Sequence, residues 1–227
     1  MRKFTKTMAA VLSLTMTLTM VTPVFAEGET NITPAQTTEV VTPTPTPAQP
    51  PKNGLFVNEG KTYCYKNGKL VKNKYGYKVK KKYYRIDKKG VATLVSTAEG
   101  LAGARLDKCG GDLKKAFKWS STKIKYWGSV GKPKKGQNQV EYYATYGFKN
   151  GKGDCYVMAA TFCMMAKVKG YKNVKMVKGT VPQANGKNGA HGWCEIKIGK
   201  TVYAYDPNFA YTSVSYTHLT LPTICSV

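Results

Sequence analysis

Three residues of this 227-residue chain are of the types, and at the positions, that could do covalent chemistry: a cysteine, a histidine and an aspartate. In GKGDCYVMAATFCMMAKVKG, residues 151 to 170, Cys155 follows a glycine turn and Asp154. It opens a helical pattern that carries Val157, Ala160, Phe162, Ala166 and Val168 and stops at Gly170. Asp154 is the expected N-cap, which makes Cys155 the first helical residue. A thiol there faces unpaired backbone N–H groups and the positive end of the helix dipole, a position that favours the nucleophilic thiolate. Cys163, two turns further on, reads instead as a small apolar core residue.

The partners lie downstream. HGWCEIKI (191–198), Gly199-Lys200 and TVYAYDPNF (201–209) read as a hairpin with a two-residue turn. Counting outward from that turn pairs Trp193 with Asp206 and His191 with Asn208. Alternation then puts His191, Trp193 and Asp206 on one face and Cys194, Ile196 and Ile198 on the other. His191 and Asp206 become diagonal neighbours at the ~7–8 Å that side chains bridge. Cys155, His191 and Asp206 together supply a nucleophile, a base and an orienting acid. Trp193 walls this cleft or fills the core, and the second reading is preferred. A turn longer or shorter by one residue would break the register argument.

The positioning elements are legible around these motifs. Asp112 can cap a helix whose Leu113, Ala116 and Phe117 share a face, and Val140 to Phe148 forms a second helical stretch ending in Lys149-Asn150-Gly151. GSVGKPKKGQNQ between them is a loop, NVKMVKGTV is a strand, and PQANGKNGA is a polar connection.

Three separated motifs in this order resemble the transglutaminase-like superfamily: Gly153-x-Cys155 opening a helix with Ala159 and Ala160, then His191-x-Trp193, then Tyr205-Asp206-Pro207. The resemblance spans roughly residues 97–211. It implies an α+β papain-like core in which the cysteine-bearing helix packs on an antiparallel sheet or small barrel, preceded here by small β-hairpins. It also implies that Cys155 is the nucleophile, His191 the base and later the acid, and Asp206 the group that fixes the tautomer of His191. No cofactor is implied. The substrate is an amide of a protein or peptide, and the intermediate a thioester on Cys155. Release by water makes a peptidase or deamidase, and release by a lysine amine makes a cross-linking enzyme. Hydrolysis is favoured, because a cross-linker carrying 33 lysines would consume itself. The backbone N–H of Cys155 is the expected oxyanion donor, and the second donor stays open among Gln137, Gln139, Trp127 and Tyr143. The competing reading is a non-catalytic cell-wall-binding module on the same scaffold, against which the intact trio argues.

The rest of the chain sets the context. Arg2, Lys3 and Lys6 precede an apolar run and Val24-Phe25-Ala26 offers a cleavage site, so residues 1–26 read as a secretory signal and the protein as secreted. That run is too short for a transmembrane segment of ~20 residues. Residues 27–53 form a Thr/Pro-rich linker. Residues 54–95 read as β-hairpins with a weak aromatic repeat, either wall-binding or a structural lead-in to a domain over 96–211. The tail, 212–227, is atypical, with no basic residue after Lys200, and reads as an artefact foreign to the domain. The net charge is +24, yet the only arginines are Arg2, Arg85 and Arg105. Arginine forks are what nucleic-acid readers use, so no nucleic-acid partner is expected, and the lysines read either as a solvated surface that keeps the protein soluble or as a site for anionic wall polymer. Six cysteines show no framework spacing, and two histidines without HExxH or CxxC predict no metal.

Overall fold

The computed structural model describes residues 49–182 and 186–212. The expected export signal, the linker up to residue 48 and the tail beyond residue 212 lie outside the described residues, as do residues 183–185 of the polar connection.

Two three-stranded antiparallel sheets come first. Gly54–Asn58 (β1), Lys61–Lys66 (β2) and Lys69–Leu70 (β3) form one, and Lys74–Val79 (β4), Lys82–Ile86 (β5) and Ala92–Val95 (β6) the other. The Asn67-Gly68 turn holds both residues left-handed, at φ 52° and 75°, the conformation that matches strand twist. Alternation turns Cys64, Tyr84, Ile86 and Ala92 into a shared small core and leaves the lysines outside.

Ser96 then starts the helices. Its Oγ accepts from the Glu99 N–H at 3.2 Å while Glu99 accepts from the Ser96 N–H at 3.0 Å, a reciprocal cap for Thr97–Lys108 (α1). α1 lies directly on β4. A Cβ on Gly76 would sit 2.3 Å from the Gly100 carbonyl, and one on Gly103 would sit 2.2 Å from the Tyr75 carbonyl, so bare backbone is required on both sides. The Asp107 carboxylate accepts from the N–H groups of Tyr75 and Gly76 at 3.2 and 3.3 Å. The second hairpin sheet is therefore seated on α1 by backbone contact.

Leu113–Lys123 (α2) is capped by Asp112, whose Oδ1 accepts from the Lys115 N–H at 2.8 Å. Lys125–Tyr126 (β7) follows, then the loop, then Gln139–Asn150 (α3), closed by left-handed Gly151. Lys152–Gly153 (β8) pairs in parallel with β7 and leads into Cys155–Lys169 (α4), which ends at left-handed Gly170. Twelve of the fifteen α4 residues are buried, and only Lys167 and Lys169 in the last turn are exposed. Val157, Met158, Ala160, Met164 and Met165 pack with α1, α2 and α3, while Phe162, Cys163 and Ala166 pack on the sheet beyond.

That sheet is Val174–Pro182 (β9), Asn188–Ile198 (β10) and Thr201–Tyr205 (β11), antiparallel, with β10 central. It is open rather than barrelled. β10 begins three residues before the expected strand, because Asn188 to Ala190 continue the ladder against Pro182 to Thr180. The turn and register are those read from the sequence, with Ile198 opposite Thr201 and Cys194 opposite Tyr205. The ladder stops at Tyr205. Asn208 and Asp206 are not ladder partners of His191 and Trp193, because Pro207 has no N–H to donate and Asp206 instead caps Pro207–Thr212 (α5). Of the three residues placed on one face, Cys194 and Ile196 pack against α4, whereas Ile198 is exposed at the hairpin tip. The architecture is thus α+β: β-hairpins, then helices around α4, then an antiparallel sheet behind it. Among the described residues no helix is long and apolar enough to cross a membrane.

Candidate active site

The head of α4 is built by its cap. Asp154 is buried and its Oδ1 accepts from the Val157 N–H at 3.0 Å, so the helix begins at Cys155 and the Cys155 N–H is among those that a helix leaves without an internal partner. Cys155 itself is 5% exposed.

His191 reaches it from β10. Nε2 of the imidazole lies 2.6 Å from Asp206 Oδ2, and Cys155 is near enough for its side chain to help hold the imidazolium. The structure therefore brings Cys155, His191 and Asp206 together. Asp206 is held by both carboxylate oxygens, since Oδ1 accepts from the Phe209 N–H at 2.9 Å. Tyr205, one residue earlier, is anchored against Phe162 and Phe117, with ring centroids 5.0 and 5.9 Å away. The carboxylate thus sits on a segment tied at one end to the core and at the other to a helix cap.

This setting raises the His191 pKa from 6.5 to about 10. The hydrogen bond to Asp206 is the largest cause and the one to Cys155 the next, and both outweigh burial, which pulls the other way. The imidazolium is the favoured form at neutral pH.

Gly192 explains why the histidine can come this close. A Cβ there would lie 2.5 Å from Cδ1 of Tyr156, the residue after the cysteine. Only a glycine lets β10 press on the first turn of α4. Trp193 departs from the core-filling reading. It is half-buried, stacks on His191 with centroids 6.3 Å apart, covers Gly179, and donates from Nε1 to Glu195 at 3.1 Å. Its indole forms a wall for the imidazole because Gly179 on β9 leaves room for it.

A cleft of about 260 Å³ adjoins the thiol without containing it. Ser129, Gly131, Lys132, Gln139, Tyr143, Asp154, Tyr156 and Lys178 are among the residues lining it. Its floor is the stacked pair Tyr143 and Tyr156, 5.8 Å apart, with Lys178 Nζ over both rings. Of the four residues considered as a second oxyanion donor, Gln139 lines this cleft and Tyr143 donates its hydroxyl to the Gly131 carbonyl. Gln137 accepts from the Lys134 N–H, and Trp127 is 68% exposed with its ring under Lys152. Tyr126, which nothing in the sequence marks, pairs with Gly153 two residues before Cys155, and partial burial together with the charges of Cys155 and Asp154 raises its hydroxyl pKa. The parallel β7–β8 bridge brings it there, and a two-residue pairing across 27 positions leaves no sequence signal. Among the described residues no group of His, Cys, Asp and Glu could hold a metal ion.

A buried helix that presents a cysteine to a strand-borne histidine and its aspartate defines a papain-like α+β core. Residues 95–207, just under half of the chain, match the model of the transglutaminase-like superfamily, so this stretch is similar to that superfamily's domain. Members of that superfamily are typically cysteine-dependent enzymes acting on amide bonds. A search of curated proteins gives no match.

Proposed function

We propose that the protein is a secreted cysteine amidohydrolase in which Cys155 attacks a protein or peptide amide. The observation that carries this reading is the meeting of Cys155, at the head of α4, with His191 and its 2.6 Å partner Asp206. Cys155 as thiolate adds to the carbonyl, and the tetrahedral oxyanion meets the Cys155 N–H at the head of α4. His191, held as imidazolium by Asp206, gives its Nδ1 proton to the departing amine and leaves a thioester. The neutral imidazole then takes a proton from water, which attacks the thioester and frees Cys155. Lys132 and Lys178 line the adjoining cleft, so an enzyme that accepted lysine amines would meet its own side chains first. That supports hydrolysis over cross-linking.

The test is alkylation of Cys155 by iodoacetamide, followed by peptide mass spectrometry in the wild type and in His191→Ala, with fully buried Cys163 as control. Labelling at mildly acidic pH that needs His191 is expected. Cys155→Ala should abolish amidase activity with the fold intact, and a variant with full activity would remove the reading.

Exposed lysines crowd the hairpins, eleven of them between Lys61 and Lys89, against Asp87 as the one acidic residue in that span. This favours retention on anionic wall polymer, a diffuse attraction that moderate salt screens. Lysine-to-glutamine substitutions on the hairpins should release the protein from isolated walls. They are preferable to deleting residues 54–92, which would strip α1 of its cover.

A further inference from the structure

Two cysteines in the core take no part in this chemistry. Cys163 lies on α4 and Cys194 on β10, both fully buried among Phe162, Ala166, Val174 and Ile196. Both are free thiols of one buried cluster, and Cys163 Sγ donates to the carbonyl of Lys175 at 3.3 Å, next along β9 to Met176, the ladder partner of Cys194. Both sulfurs are fully buried, so neither is reachable as a nucleophile in the folded protein. No other described cysteine competes for either sulfur. Cys64 sits in the hairpin core and Cys109 on the far side of α4. Cys155 is eight residues up the helix from Cys163, about 12 Å at ~1.5 Å per residue.

We propose that Cys163 and Cys194 close into a disulfide that staples the nucleophile helix α4 to the histidine strand β10. The oxidant is a low-molecular-weight disulfide met while the chain folds. The Cys163 thiolate attacks one sulfur of the oxidant and expels a thiol. The Cys194 thiolate then attacks the Cys163 sulfur of the mixed disulfide and expels the second thiol. Two electrons pass to the oxidant's disulfide, and the two cysteine protons end on the thiols released. Exchange takes place before α4 closes on β10, because afterwards both sulfurs are sealed from reagents in either direction. The bond lies three residues from His191 and two turns from Cys155, so it fixes the separation that proton transfer between them needs. This proposal is independent of the amidohydrolase reading, since it concerns the bond and not turnover.

The full chain is refolded in a buffer of oxidised and reduced glutathione, quenched with acid, alkylated under denaturing conditions and digested with trypsin without reduction. Cleavage after Lys152, Lys167, Lys187 and Lys197 yields residues 153–167, which carry both Cys155 and Cys163, and residues 188–197, which carry Cys194. The expected product is these two peptides joined, two hydrogens lighter, with fragmentation placing the link on Cys163 and the alkyl group on Cys155. Tm should fall by on the order of 10 °C when the protein is refolded with reductant instead. Cys194→Ala, a smaller side chain in an apolar site, should lose that redox dependence. Alkyl groups on both Cys163 and Cys194, a link through Cys155, or a Tm indifferent to the refolding buffer would each overturn the proposal.

Discussion

Asp206→Asn isolates the charge that organises the candidate site. Asp206 does two things, accepting from His191 Nε2 at 2.6 Å and capping α5 through Oδ1. Asparagine caps a helix as well as aspartate does, so the fold survives while the carboxylate at the imidazole becomes an amide that donates. The His191 interval from 6.5 to about 10 corresponds to on the order of 5 kcal/mol in favour of the imidazolium, at ~1.4 kcal/mol per pH unit. The carboxylate is the leading cause of that preference and burial opposes it, so the variant should titrate near or below ~6.5. The sign for stability follows. A histidine whose folded pKa is raised contributes fully below pH 6.5, and the contribution fades as pH climbs towards 10. Wild type should therefore exceed Asp206→Asn by a few kcal/mol in urea unfolding at pH 6, and by much less at pH 10. The direct assay is an NMR titration of labelled histidine, a two-signal problem because the chain holds only His191 and His218 and His218→Gln assigns them. Amidase kcat should drop on the order of 10³–10⁴-fold, as when a histidine base is given the wrong tautomer. A wild-type His191 that titrates at the ordinary value, unmoved by the substitution, would refute the reasoning.

Other substitutions probe the supports. Gly192→Ala puts a Cβ 2.5 Å from the Tyr156 ring, so β10 must back away from α4, at a cost of about 1–3 kcal/mol in urea unfolding and with slower alkylation of Cys155. Phe162→Ala empties a fully buried site between Phe117 and Tyr205 and should lose about 3–5 kcal/mol by the same measurement. Because Tyr205 leads into Asp206, it should also blunt alkylation. Gly76→Ala meets the backbone of Gly100 and Ala104 at 2.3 and 2.4 Å. It should lower stability by about 1–3 kcal/mol and speed hydrogen exchange in β4 to β6, and unchanged exchange would mean that the sheet is not seated on α1.

What could be read from the residues was local. Asp154 announces a helix start and Gly170 its end, and Gly199-Lys200 sets a register that carries correctly through Cys194 and Tyr205. Those signals act over about five residues, within reach of a single cap or turn. Counting brought His191 and Asp206 together even though the ladder ends one residue short of the aspartate, because Pro207 turns the chain where a third strand would have continued. Trp193 could not be placed, since its position depends on Gly179, fourteen residues away on another strand. Tyr126 and the α1–β4 contact were hidden for the same reason. They rest on backbone approaches between segments far apart in sequence, and no periodicity records them.

The burial of α4 along most of its length has a consequence for how such a protein can change. A helix buried continuously from Val157 to Ala166 cannot drift there, because every substitution over that stretch is felt by three neighbouring helices or by the sheet. The loop that borders the cleft, residues 127–138, is bound by few such contacts and is exposed along most of its length. Variation is therefore steered to the rim, where it alters what reaches the sulfur and leaves the sulfur where it is. For an engineer this separates two tasks. New selectivity is to be sought by rebuilding that loop, and the hydrophobic rod behind it is best inherited whole.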